Sequence, residues 1–381
     1  MRRIIRLIMV KIKSEIFNGN ICISLFLITL LVMSVLCSFT MTTIAGEVFE
    51  LAMQDYMATS TLYYQTSEEL CDLVKEMSNG RLIINLYAPG TIVPAYEITK
   101  AVNNGSLDLG VTCAGMDAGV LGMASFLVSQ CNVPAGQGPM EAMAWYNVGD
   151  GLKYANKVWN TKFDVEVLGS LCNAPAELLY HSNVKIKEIE DFKGIKFRTF
   201  GLWAKVLSGF GASVVSVPGG EIYSSIDRGV IDAVEYCGPA SDWMMGFHEV
   251  SKYIGVPGIH APSSGSVLIA NRKVWDKLPD DLKSILKNAI EVCNARFYQK
   301  TMYESGIAMQ KYIDYGNEVI TLSEDAQKKI LEASINLLDS YAAEDPLFDE
   351  IYRNQIEFSK NWNRYSNPEV TPQYSVLMSK N

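Results

Sequence analysis

Residues 194–239, GIKFRTFGLWAKVLSGFGASVVSVPGGEIYSSIDRGVIDAVEYCGP, decide how this chain is built. An apolar strand over 194–198 gives way to a helical pattern over 203–210 and to a second strand over 213–217. Pro218-Gly219-Gly220 breaks the chain and opens a helix at Glu221, where a carboxylate suits the positive helix end. Gly229 supplies the left-handed exit, and Asp232 leads into a short strand over 233–236 that breaks at Gly238-Pro239. This is the rhythm of βαβ units on a largely parallel sheet.

Part of the block recurs upstream. Residues 97–108 (EITKAVNNGSLD) align without gaps on 221–232 (EIYSSIDRGVID), with Glu, Ile, Gly and Asp identical and the apolar positions matched. Chance likeness of two amphipathic helices is one explanation; duplication of a supersecondary unit, one copy per lobe, is the reading adopted. Around the first copy, a strand at 48–53, a helix at 61–78 and a strand at 81–86 repeat the pattern. A strand over 265–270 returns to the first lobe, and 280–363 reads as nearly all helix. The expected plan is a signal peptide at 1–45, lobe 1 beginning at 46–170, lobe 2 at 171–262, a return strand with C-terminal helices at 263–363, and a loose tail at 364–381.

The length of 381 residues suits two lobes, and 49% hydrophobic with 20% charged residues suits a folded chain. Charge is unevenly placed. Residues 1–45 carry five basic side chains against Glu15, or +4, which leaves −13 for the other 336 within the net −9. So acidic a body gives no attraction for phosphate backbones, which argues against nucleic acid as partner. The basic head precedes a charge-free apolar run over 21–39 and the small residue Ala45, the pattern of a secretory signal. A run of 19 residues is also long enough for an uncleaved anchor. The six cysteines beyond it are scattered and form no CxxC, and the three histidines show no metal-ligand spacing. No GxSxG elbow, phosphate-binding loop or GxGxxG is present, so catalysis finds no motif.

Several residues carry chemistry instead. Arg198 ends an apolar strand, where its planar fork suits either a ligand carboxylate or an ordinary surface salt bridge. Glu235 and Tyr236 lie at a strand end of the kind that gathers ligands in open α/β sheets. There the carboxylate suits a ligand donor, a hard cation, or a buried pair with Arg198. Glu177 sits among Ala, Leu and Tyr in NAPAELLYHS, where it must find a partner, stay protonated, or face solvent on an edge strand. Trp203 and Trp243 suit either a pocket wall or the lobe core, and His260, after Pro257-Gly258, reads as part of a hinge.

Residues 194–239, together with 90–98 (GTIVPAYEI), 252–260 and 271–279 (NRKVWDKLP), make the chain resemble the DctP-like solute-binding proteins of TRAP (tripartite ATP-independent periplasmic) transporters. The likeness covers roughly 48–345. It implies a two-lobed α/β periplasmic binding protein, or flytrap, with C-terminal helices packed across the lobes. It implies capture of a small organic acid without catalysis, delivery to membrane permease subunits, and a periplasmic location. Arg198 matches the family's carboxylate clamp, and the substrate site implied is Arg198, Glu177, Glu235, Tyr236 and Trp203. PGGEI and the acidic strand end resemble the subgroup that binds 2-oxo or 2-hydroxy acids, some members with a cation. The matching cation ligands are Glu177, Glu235 and Tyr236, the first and last standing where Gln and Trp are common. Two glutamates and a ligand carboxylate balance Arg198 plus a divalent ion, which favours Ca²⁺ over Na⁺. The family also implies a possible homodimer through the C-terminal helices. A sensory role, reporting to a receptor kinase or chemoreceptor, is the alternative.

Overall fold

A computed structural model describes residues 9–11, 13, 47–129 and 132–366. The apolar run at 21–39, cleavage near Ala45 and the tail from 367 lie outside the described residues. Among those described, no helix is long and apolar enough to cross a membrane.

From Val48 onward the chain builds two sheets. The first holds β1 (Phe49–Asp55), β2 (Leu82–Tyr87), β3 (Leu109–Thr112), β4 (Val165–Ala174) and β10 (Ser264–Asn271), in the order β2-β1-β3-β10-β4. The second holds β5 (Tyr180–Ser182), β6 (Lys196–Arg198), β7 (Ser213–Val215), β8 (Ala233–Val234), β9 (Tyr253–Val256) and β11 (Glu318–Thr321), in the order β11-β9-β5-β8-β6-β7. The βαβ strands pair parallel, as the sequence rhythm requires. The sheets as wholes are mixed, which corrects the largely parallel expectation: β10 runs antiparallel to β3 and β4, and β5 to β8 and β9. The cause is the route of the chain. It passes from the first sheet to the second between β4 and β5 and back between β9 and β10, and no crossover helix intervenes to restore direction. Every residue of β10 is buried, so the return strand lies inside the first sheet rather than at its edge.

The duplication is legible down to single hydrogen bonds. Pro94 and Pro218 have nearly the same backbone angles, and each accepts from the N–H of the Glu three residues on (2.8 and 2.9 Å). Ile98 and Ile222 are buried, and Gly105 and Gly229 leave their helices with φ of +82° and +68°. Asp108 accepts from Ala52 N–H on β1, and Asp232 from Lys196 N–H on β6, both at 2.8 Å. Each aspartate thereby aligns the strand that follows it beside its parallel neighbour.

The C-terminal third is less purely helical than its sequence suggests. The helix Asp280–Tyr315 packs Leu286, Ile290 and Phe297 against residues of the first sheet, while its end brings Tyr312 beside Ile254 of β9. β11 then adds a strand to the second sheet, paired parallel with β9. Four residues between long helices are too few for an alternation signal, which is why EVIT escapes the sequence reading. In the helix Glu324–Glu344, Ala326 and Ile330 join the core of the second sheet and Leu338 that of the first. The helix Pro346–Ser366 closes on the first with Phe348 and Ile351. The C-terminal helices therefore pack across the two halves.

Asp55, at the end of β1, is fully buried; its carboxylate accepts from Ser67 Oγ (2.5 Å) and Met57 N–H (2.8 Å). Burial outweighs these bonds and raises its pKa from 3.8 to about 6. The folded state then binds more protons than the unfolded state between those values, so this residue's contribution to stability falls as pH rises through about 4 to 6 and stays low above. Asp55→Asn should flatten that limb and gain up to about 3 kcal/mol at pH 8, read from urea unfolding between pH 4 and 8. An unchanged pH profile would contradict the burial argument.

Candidate functional site

The strand ends of the two sheets meet around a cavity of about 350 Å³. The two copies of the duplicated unit wall it in matching ways. Ala95 and Tyr96 line it from the first copy and Gly219 and Gly220 from the second, while Cys113 follows β3 and Tyr236 follows β8. A buried glutamine fixes one rim: Gln54 Nε2 donates to Val93 O (2.7 Å), and its Oε1 accepts from Ile92 and Val93 N–H (2.8 and 3.1 Å). That clamp sets the loop whose Pro89 and Gly90 line the cavity.

Arg198 is 5% exposed at the end of β6 and lines the cavity. Its Nε donates to Val217 O (3.0 Å) and its Nη1 to Glu235 O (2.8 Å), so backbone carbonyls hold the fork in place. The Glu235 carboxylate is farther from Nη1, at 3.7 Å. Among the described residues Nη2 has no hydrogen-bond partner. Phe200 and Tyr236 flank the guanidinium, with ring centroids 5.8 and 5.6 Å from Cζ. A planar donor fixed by two carbonyls and walled by two rings is built for a carboxylate.

Two carboxylates lie behind it where the chain passes between the sheets. Glu177 sits on the first passage, between β4 and β5, and lines the cavity. It is 3% exposed, which overturns the edge-strand alternative. His260 sits on the second passage, between β9 and β10, its Nε2 3.3 Å from Glu177 Oε2 and 3.9 Å from Glu235 Oε2. The two passages are in backbone contact: Glu177 N–H donates to Ala261 O (3.2 Å). A Cβ on Gly258 would stand 1.8 Å from Glu177 O, so only glycine lets the second passage lie this close to the first. Glu235 follows β8 and accepts from Asn132 Nδ2 (3.3 Å). Asp242 receives the next backbone N–H, from Cys237 (3.1 Å), while its other oxygen faces His181 Nε2 (3.0 Å), which fixes the turn carrying Tyr236.

Burial is the main force on these groups. It pushes the Glu177 carboxyl up, with the charge of Asp242 adding and Arg198 opposing. It pushes Glu235 up as well, and there the neighbouring Glu177 adds to the shift against the pull of Arg198 and His260. Burial lowers His260 to about 4, so its imidazole is neutral at physiological pH.

The structure brings Arg198, Glu177, Glu235 and Tyr236 together, as the sequence reading expects of a single site. Trp203 is elsewhere: it is fully buried in the core of the second sheet, absent from the cavity wall, with its ring centroid 5.5 Å from that of His260. It supports the site from behind. Trp243 stacks on His248 (3.7 Å between centroids), also away from the cavity lining. Two residues escaped the sequence reading. His260 was taken for hinge, which fits its place in the chain but omits its contact with both carboxylates. Asn132 sits in a turn at φ +51°, and the only signal was an Asn next to Pro134, common in turns.

The donor set also bears on a cation. Ligand atoms of Glu177, Glu235 and His260 all lie within 4.8 Å of one another, and Asn132 Oδ1 is buried beside them without a hydrogen-bond partner. Two carboxylates and an unpaired amide oxygen fit a hard cation.

Known proteins match along most of the chain. The family model described as bacterial extracellular solute-binding protein, family 7 (DctP) covers residues 53–345. A monocarboxylate 2-oxoacid-binding periplasmic protein of Nostoc is 29% identical over 301 residues, 78% of this chain and 81% of that one. A TRAP periplasmic solute-binding protein of Colwellia psychrerythraea, solved with bound calcium and pyruvate, superposes with a TM-score of 0.78 at 26% identity, over 85% of this chain and 98% of that one. Another, from Pseudoalteromonas atlantica with bound sodium and pyruvate, gives 0.79 at 24% identity, over 86% and 100%. With more than half its length matched by one family model and its two-lobed architecture shared with these structures, the chain belongs to the DctP family of bacterial extracellular solute-binding proteins.

Proposed function

We propose that this protein captures a 2-oxo monocarboxylate outside the cytoplasm, together with a cation, and presents it to the membrane permease of a TRAP transporter without transforming it. The observation that carries the reading is the Arg198 fork, held by Val217 O and Glu235 O and facing a cavity whose next polar neighbour is a buried glutamate. The 2-oxoacid-binding relative from Nostoc and the pyruvate complex from Colwellia support the ligand class. The lobes of the proposal are 46–170 and 171–262, with 263–363 returning to the first.

Arg198 Nη2 takes the ligand carboxylate, and the remaining donors hold what the arginine cannot neutralise. Glu177 and Glu235 would hold the cation, with the backbone carbonyl of Tyr236 and the amide oxygen of Asn132 completing an oxygen set. The cation supplies charge for the two carboxylates and a Lewis acid for the ligand's own oxygens. His260, neutral, hydrogen-bonds Glu177 from the side away from the cavity and orients it. Lobe closure over the ligand excludes water and strengthens each of these contacts.

Arg198→Ala should weaken pyruvate binding at least tenfold by calorimetry, a charge-assisted hydrogen bond being worth ~1.5–3 kcal/mol. A loss under threefold, with an unchanged circular dichroism spectrum, would remove the clamp. Chelation should lower wild-type affinity for pyruvate and added Ca²⁺ should restore it, whereas Glu235→Gln should blunt both responses. Equal affinity with and without chelator would remove the cation from the reading.

A further inference from the structure

The cavity is chemically one-sided. Its charged and amide groups gather on one wall: Arg198, Glu177 and Asn132. Opposite them, the ends of the first-sheet strands and the turns after them contribute Met57, Ala58, Pro89, Ala95, Cys113 and Met116. Among the described residues that line the cavity, Arg198 is the one cation. At about 350 Å³ the space is in the range that holds drug-sized ligands, well beyond the three carbons of pyruvate.

Each feature selects. A second ligand carboxylate would lie against Met and Ala side chains with no cation to meet it, which costs several kcal/mol of desolvation. A sugar acid would bring hydroxyls to a wall with few partners. An apolar tail would displace water from that wall and gain with every buried methylene.

We infer that the site takes 2-oxo monocarboxylates with branched aliphatic or aromatic tails in preference to pyruvate, dicarboxylates and sugar acids, the tail lying against the Met57–Met116 wall. The inference rests on the carboxylate-binding reading above and narrows its ligand. The duplicated unit explains the asymmetry. Its second copy is followed by Glu235-Tyr236 and its first by Cys113 and Met116, so equivalent strand ends supply a polar wall in one lobe and an apolar wall in the other.

Calorimetry with pyruvate, 4-methyl-2-oxopentanoate, phenylpyruvate and 2-oxoglutarate on the purified protein with Ca²⁺ present tests it. Each buried methylene should tighten binding about fourfold, the equivalent of ~0.8 kcal/mol. The branched acid, three carbons longer than pyruvate, should bind at least tenfold tighter, and 2-oxoglutarate should bind more weakly than pyruvate. Met116→Gln should narrow the ratio of branched-acid to pyruvate affinity at least fivefold. Pyruvate binding as tightly as the longer acids, 2-oxoglutarate binding tightest of the four, or a ratio untouched by Met116→Gln would each overturn the inference. If none of the 2-oxo acids binds, the carboxylate-binding reading itself fails, a distinct outcome.

Discussion

Two carboxylates buried within one small cluster are the constraint to which the rest of this structure answers. Ligand atoms of Glu177 and Glu235 lie no more than 4.8 Å apart. At an effective dielectric of about 20, two full charges at that distance repel by roughly 3.5 kcal/mol, before the cost of removing them from water. Arg198, 3.7 Å from Glu235, can offset about one of the two charges. His260 is neutral and contributes a dipole only. One carboxyl must therefore keep a proton or share a cation, which is what the upward push on both groups expresses. Such a cluster is costly as a structural device, since an apolar pair of the same volume would hold the lobes at least as well. Its persistence at the wall of a cavity, beside a fixed arginine, is the mark of a binding site.

The route of the chain explains how this cluster can serve closure. Glu177 and His260 lie on the two segments that pass between the sheets, and Glu235 follows the strand beside β5. Any rotation of one sheet relative to the other must bend those segments. The charged cluster is thus placed at the pivot, where a small change in its contacts has the longest lever over the strand ends. Asn132 reaches Phe200 O (3.5 Å) and Glu235 Oε1 from the turn after the helix Ala124–Ser129, so it ties the segment preceding β4 to the second half at the same place.

What could be read in the sequence followed from local rules. βαβ periodicity, the duplicated helix with its glycine exit, and Arg198 at a strand end are all legible within windows of a dozen residues. The charged pair was identified by likeness to a family, because nothing within NAPAELLYHS or IDAVEYCGP shows that these segments meet. His260 and Asn132 stayed hidden for the same reason: they sit in short turns, and their roles depend on residues 83 and 103 positions away. The mixed sense of the sheets was missed because periodicity gives strands without giving direction, and direction here depends on passages that carry no helix.

The duplication supplies the last step. Both copies keep the proline that opens the turn, the isoleucine that anchors the helix, the glycine that ends it and the aspartate that aligns the next strand. These residues hold backbone and face away from ligand, so they are constrained equally in both lobes. The positions that face the cavity have no such shared duty. Ala95-Tyr96 stands against Gly219-Gly220, and Cys113 against Glu235. A Cβ at Gly219 would stand 2.7 Å from the Tyr236 hydroxyl, so the second copy gave up its side chain there to admit a ring beside Arg198. One backbone solution, used twice, thus leaves the ligand's polar and apolar ends to be chosen separately by the two lobes.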